Sequence, residues 1–139
     1  MGDFFIGKTN FGVDAKKSRF DVAKAADGRL VLTVEIDGDE EIHKKLTANP
    51  GSKWSWTLYP PQFYLRNYPL AEKARGKEHK ITLKPADSDN YDVALYLMEH
   101  NNVAGVTIKL NDTRIEIACQ VDLMGEPQDF RIVWQKAAR

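Results

Sequence analysis

Strict alternation of apolar and polar residues over four separate stretches constrains this chain more than any other feature. A period of two puts every second side chain on one face of a strand. Leu30, Leu32, Val34 and Ile36 alternate with Val31, Thr33, Glu35 and Asp37. Val106, Ile108 and Leu110 alternate with Thr107, Lys109 and Asn111, and Ile115, Ile117, Cys119, Val121 and Leu123 with Glu116, Ala118, Gln120 and Asp122. Phe130, Ile132 and Trp134 close the series against Arg131, Val133 and Gln135. Strands of a parallel sheet are covered on both faces and read as continuous apolar runs, whereas one dry and one wet face is the mark of an antiparallel sheet. The pattern predicts an all-β or β-rich α+β fold, as an antiparallel β-sandwich or a partly closed barrel with one or two short helices. Ile108, Ile117, Val121, Ile132 and Trp134 are its expected core.

Turn residues fall where the alternation breaks. Asp27-Gly28 lies between residues 20–25 and 29–37 and suits a tight hairpin, whose central residues take positive φ. Asn111-Asp112 separates two of the clearest strands, and Gly125-Glu126-Pro127 turns the chain into the last one. From Tyr91 to Gln135 the order reads as a meander of four strands. Two helical pieces interrupt this pattern. Asp39 is placed to cap a helix running to about Leu46, with Glu40 and Glu41 at its positive end and Lys44 and Lys45 at its negative end. Ile42 and Leu46, four apart, are expected to share its buried side. The second piece runs from Pro69 to Arg75 and stops at Gly76. With no repeat, low-complexity tract or linker, residues 1–139 are read as a single domain.

A chain of 139 residues can bury a core without covalent staples, and its one cysteine, Cys119, has no partner within the chain. Alternation with Ile117 and Val121 places Cys119 on the apolar face, as an inert core residue. Twenty Lys and Arg balance twenty Asp and Glu, which removes the general attraction to nucleic acid or anionic membrane that a positive excess brings. Neither is expected as a partner. The opening Met1-Gly2-Asp3-Phe4-Phe5-Ile6-Gly7-Lys8 lacks the basic start and longer apolar run of a secretory signal. No stretch approaches the ~18 apolar residues of a membrane span. With Met1 as the start, the expected location is cytoplasmic.

Signatures of chemistry are missing where they would be sought. His43, His79 and His100 form no pair at metal-ligand spacing. Ser18, Ser52, Ser55 and Ser88 all lie outside a Gly-x-Ser-x-Gly elbow, and no glycine-rich loop is built to cradle phosphate. The chain is therefore read as a non-enzyme without cofactors. Two acidic groups remain: Asp37, Asp39, Glu40 and Glu41, and then Asp87, Asp89, Asn90 and Asp92. Calcium takes about six to eight oxygen ligands. Two acidic loops on a sandwich of this length resemble the layout of C2-type calcium modules, which implies Asp37, Asp39, Asp87, Asp89 and Asp92 as ligands. The plainer reading makes the first group a helix cap and the second a solvated turn, with no metal.

The most unusual stretch is Trp54–Tyr68, which holds two of the three tryptophans and three of the five tyrosines. Alternation puts Trp54, Trp56 and Leu58 on the buried face of a strand. Pro60-Pro61 then breaks the ladder, because proline has no N–H to give, and marks an edge or a corner. Tyr59, Tyr64, Arg66 and Tyr68 are left as candidates for an exposed patch. Tyr and Arg are enriched at interface hot spots because they bury area while keeping a polar handle. These four are the expected partner-binding residues, and the chain is expected to be a small non-enzymatic protein that binds another protein. In size and style it resembles the stand-alone immunity proteins that bacteria make against contact-delivered toxins, which implies a cognate toxin as partner. The alternative use of the aromatics is as a stacking platform in a carbohydrate- or small-ligand-binding module.

Overall fold

A computed structural model describes residues 2–49, 51–55, 57–70, 79–83, 92–97, 100–101, 103–111, 113–123 and 126–136. The first half holds β1 (Gly2–Ile6), β2 (Thr9–Asn10), β3 (Arg19–Lys24), β4 (Leu30–Asp37), α1 (Glu40–Thr47) and β5 (Gln62–Leu70). The second half holds β6 (His79–Leu83), β7 (Asp92–Tyr96), β8 (His100–Asn101), β9 (Val103–Leu110), β10 (Arg114–Leu123) and β11 (Glu126–Gln135). Every pairing among the described residues is antiparallel. One sheet runs β2-β1-β11-β10-β9-β6 and the other β3-β4-β5-β7-β8. The sheets stay separate among the described residues, so the chain is a sandwich and not a closed barrel.

The alternating stretches supply the two inner faces. Ile108, Ile117, Val121, Ile132 and Trp134 are all buried, together with Leu30, Leu32, Val34 and Ile36 from the opposite sheet. Aromatic rings bridge the layers. Phe63 of β5 stacks on Phe130 of β11 with centroids 5.5 Å apart, and Phe20 of β3 meets Trp134 of β11 edge-on at 5.6 Å. Such pairs contribute beyond their buried area because ring edges and faces carry opposite partial charge.

Five local expectations need correction or extension. β9, β10 and β11 do form a meander, but β7 pairs with β5 and β8 in the other sheet, so the chain crosses between layers before β9. Pro69 begins no helix: it lies in β5 opposite Val31. It lies near the end of that strand, past Arg66, the last residue of β5 paired with β7 among the described residues. Residues 71–76, where the second helix was expected, lie outside the described residues. Trp54, Ser55, Thr57 and Leu58 lie in a turn-rich loop and not in a strand, and Trp56 lies outside the described residues. On α1 the fully buried residue is His43, while Ile42 is exposed and Leu46 only half-buried. Finally, β1 was not anticipated. Its Phe4 and Ile6 are buried where it pairs with β11, but two apolar positions are too short a period to stand out in the sequence.

Candidate interaction surface

The four expected partner-binding residues do not form one patch. A bulge separates them: Val34 pairs with Leu65 and Leu32 with Tyr68, so two steps along β4 oppose three along β5. The extra residue inverts the alternation. Tyr64 and Arg66 therefore point outward, whereas Tyr68 packs against the core.

Tyr64 faces outward but is only 5% exposed. It lies in an interior strand, opposite Glu35 on one side and Ala94 on the other, and the Arg66 guanidinium lies 4.4 Å from its ring centroid. Arg66 Nε approaches Glu35 Oε1 at 3.7 Å, and Arg19 reaches the same carboxylate at 3.2 Å. Arg66 is thus part of an ion-paired sheet surface, and Tyr64 lies beneath it. The exposed patch expected from the sequence is corrected for Tyr64 and Tyr68, and Arg66 is engaged with its neighbours.

Tyr59 is different. It is 66% exposed, and Leu58 beside it is 71% exposed. These two apolar residues form a tip whose flanks are both tied down. On the far side, the Gly38 N–H donates to the Pro61 carbonyl at 2.9 Å. A Cβ on Gly38 would lie only 3.1 Å from Pro61 Cδ and 3.3 Å from Pro60 Cβ, so the prolines pack directly on that backbone. On the near side, the Thr57 hydroxyl donates to the Trp54 carbonyl at 2.7 Å, and the Trp54 indole N–H donates to Thr9 Oγ1 at 3.0 Å.

Helix α1 supports the same end of the sandwich. The Asp39 carboxylate accepts the Ile42 N–H at 3.0 Å, as an N-cap should, and Glu40 and Glu41 occupy the first turn. The helix presents His43 inward, where its Nε2 lies 2.8 Å from Thr57 Oγ1. Because the one hydroxyl proton of Thr57 is already given to Trp54, Nε2 must carry the proton and donate. The hydroxyl is thus committed on both sides, which makes this pair a structural clamp and not an activated nucleophile. Phe11 fills the space between, edge-on to Trp54 at 5.0 Å and tilted against His43 at 6.4 Å. Ile42, 37% exposed, packs over Gly12 and adds an apolar point on the helix surface. The sequence singled out Tyr59 but assigned Leu58 to the core, because it read a strand where there is a loop.

The other candidate groups are placed as follows. Cys119 is buried in the core, and loss of hydration pushes its thiol up to about 12. Asp39 serves as the helix cap. Asp37 ends β4 with Oδ1 buried and without a partner among the described residues, and burial raises its pKa. Asp87, Asp89 and Asn90 lie outside the described residues, as does the side chain of Asp92. Among the described residues no three His, Cys, Asp or Glu side chains gather as a metal site would require. A cleft of about 440 Å³ is lined by Gly7, Lys8, Lys53, Pro127, Gln128 and Asp129, none of which is aromatic. No described helix is long and apolar enough to cross a membrane. Compared with protein-family models, with curated proteins and with solved structures, the chain finds no match.

Proposed function

We propose that this is a non-enzymatic partner-binding protein that docks another protein through the Leu58–Tyr59 tip and the neighbouring surface of α1. The observation that carries the reading is the pair of large apolar side chains held out to water on a loop clamped at both ends. Preset backbone lowers the entropy lost on docking, and an aromatic anchor with few rotatable bonds lowers it further. The exposed charges of α1, Glu40, Glu41, Lys44 and Lys45, would supply a polar rim around that apolar centre. A bacterial immunity protein neutralising a cognate toxin in the cytoplasm is the specific form of this reading. It rests on size and style.

Affinity purification from the native cell, run in parallel with wild type and with Tyr59→Ala and Leu58→Ser, tests it. A partner retained by the wild type should be lost or weakened by roughly 1–4 kcal/mol in each variant. Both variants should keep the circular dichroism and melting temperature of the wild type, because these side chains are mostly in water. Undiminished binding by both folded variants would move the contact surface elsewhere.

A further inference from the structure

We propose that Lys136 is a plug on the open edge of β3, and that its removal lets β3 pair antiparallel with β3 of a second copy of this chain. The plug is independent of the Leu58–Tyr59 tip.

β3 is the outermost strand of its sheet and pairs only with β4 among the described residues. The hairpin shows which of its backbone groups that pairing leaves over. The Ala25 N–H donates to the Arg29 carbonyl at 2.7 Å, and the register with β4 runs unbroken from Lys24–Leu30 to Arg19–Glu35. Bonded and non-bonded pairs alternate along an antiparallel ladder. Arg19, Asp21 and Ala23 therefore turn their N–H and C=O toward β4, while Phe20, Val22 and Lys24 turn theirs to the open side. Such a row of donors and acceptors is a template for another strand.

Lys136 closes one end of that row. Its ammonium donates to the Phe20 carbonyl at 2.8 Å, lies 4.0 Å from the centroid of the Phe20 ring and approaches Asp21 Oδ1 at 4.0 Å. The lysine comes from the opposite layer, just after β11, and its root is fixed. Its own N–H donates to the Thr113 carbonyl at 2.7 Å, and Trp134 nearby meets Phe20 edge-on. An incoming strand has to take the Phe20 carbonyl away from a charged donor, whose bonds are stronger than those of a neutral amide.

A second copy is the occupant that the residues of β3 select. With a two-fold axis at Val22, Val22 faces its own counterpart and Phe20 faces the copy's Lys24. All of these are edge-facing residues, so each open donor meets an open acceptor. Arg19 and Asp21 face the copy's Ala25 and Ala23, and no like charges of β3 stand opposite each other. With the axis at Asp21, two carboxylates would oppose one another. In the Val22 register the copy's Lys24 arrives opposite Phe20, where Lys136 already lies. One lysine thus blocks the pairing twice, by holding the acceptor and by repelling the strand that needs it.

Sedimentation velocity over a concentration series, together with amide exchange, tests the plug. Wild type should sediment as a monomer with the Phe20, Val22 and Lys24 amides unprotected. Lys136→Met keeps an apolar stem over the Phe20 ring but has no charge and no N–H. It should dimerise with a dissociation constant at least about tenfold below that of wild type, and the same amides should become protected. Adding Val22→Pro to Lys136→Met removes an edge-facing N–H that β4 does not use, and should restore the monomer. The proposal is overturned if folded Lys136→Met sediments as wild type at every concentration. It is equally overturned if its dimer leaves those amides unprotected or survives Val22→Pro, which would place the contact on another surface. Failure of Lys136→Met and Lys136→Ala alike to fold also overturns it, since the lysine would then hold the fold together and not guard its edge.

Discussion

Individual side chains owe their behaviour here to the water they have lost. Asp37 donates its backbone N–H to Ser18 Oγ and accepts the Asp14 N–H on its carbonyl, but Oδ1 of its carboxylate is buried without a partner among the described residues. Burial raises its pKa above 3.8, against the opposing hydrogen bond from Gln62. A carboxyl whose folded pKa is raised binds its proton more tightly in the folded state, so stability is lost as pH rises from 3.8 through the folded value. Asp37→Asn should therefore melt higher than wild type at about pH 7, with the gain shrinking as the pH approaches 3.8; thermal melts across that range check it. Cys119, pushed up to about 12 by burial, should resist a water-soluble thiol reagent at mildly alkaline pH until the chain unfolds, because the thiolate is the reactive form. Ile117 makes no contact with solvent, and Ile117→Ala should cost about 2–5 kcal/mol in denaturant titrations, the sum of lost transfer energy and the cavity left behind.

Elements are set by their ends and irregularities as much as by their periodicity. The sequence identified α1 through its cap and its charge gradient, and Asp39 does bond the Ile42 N–H. Asp39→Ala should cost about 0.5–2 kcal/mol, read as a lower denaturation midpoint. Which face of α1 is buried was less legible, because the two aliphatic residues looked more suitable than a histidine. His43 is buried because Thr57 offers its ring a hydrogen-bond partner, and that residue belongs to a loop distant in sequence. Bulges were not legible either. Gly105 takes a φ of +62° in β9 where the register with β10 shifts, and the bulge brings Val103 into the core on the same side as Val106. A Cβ there would meet nothing within 4 Å, so the cost of Gly105→Ala comes from the backbone alone, about 1–2 kcal/mol. The hairpin between β3 and β4 was placed correctly at Asp27-Gly28, but its loop is longer than two residues, with Ala25 N–H donating to Arg29 O and Gly28 N–H to Ala25 O.

At the scale of the whole molecule, the described core is a layered set of interlocking aromatic and aliphatic side chains. Chelator should leave the melting temperature unchanged, and millimolar calcium should not raise it; a rise of several degrees would revive the C2-like reading and its acidic loops. Local periodicity alone determined that the chain is antiparallel β, which positions of β4, of β9 from Val106 onward, of β10 from Ile115 to Val121 and of β11 face the core, and that Cys119 is among them. Those properties depend on each residue and its near neighbours, since a pleated strand must turn alternate side chains to opposite faces. Tertiary structure alone decided which sheet each strand joins, because hydrogen-bond partners are chosen between segments far apart in the chain and the alternation is the same in either layer. It also decided the candidate surface. A bulge against β4 turned Tyr68 inward, interior placement of β5 and the Arg66 guanidinium buried Tyr64, and a loop held by His43 and by Gly38 left Leu58 and Tyr59 in water. None of these outcomes follows from the residues of that segment, for each depends on a group supplied by another part of the fold.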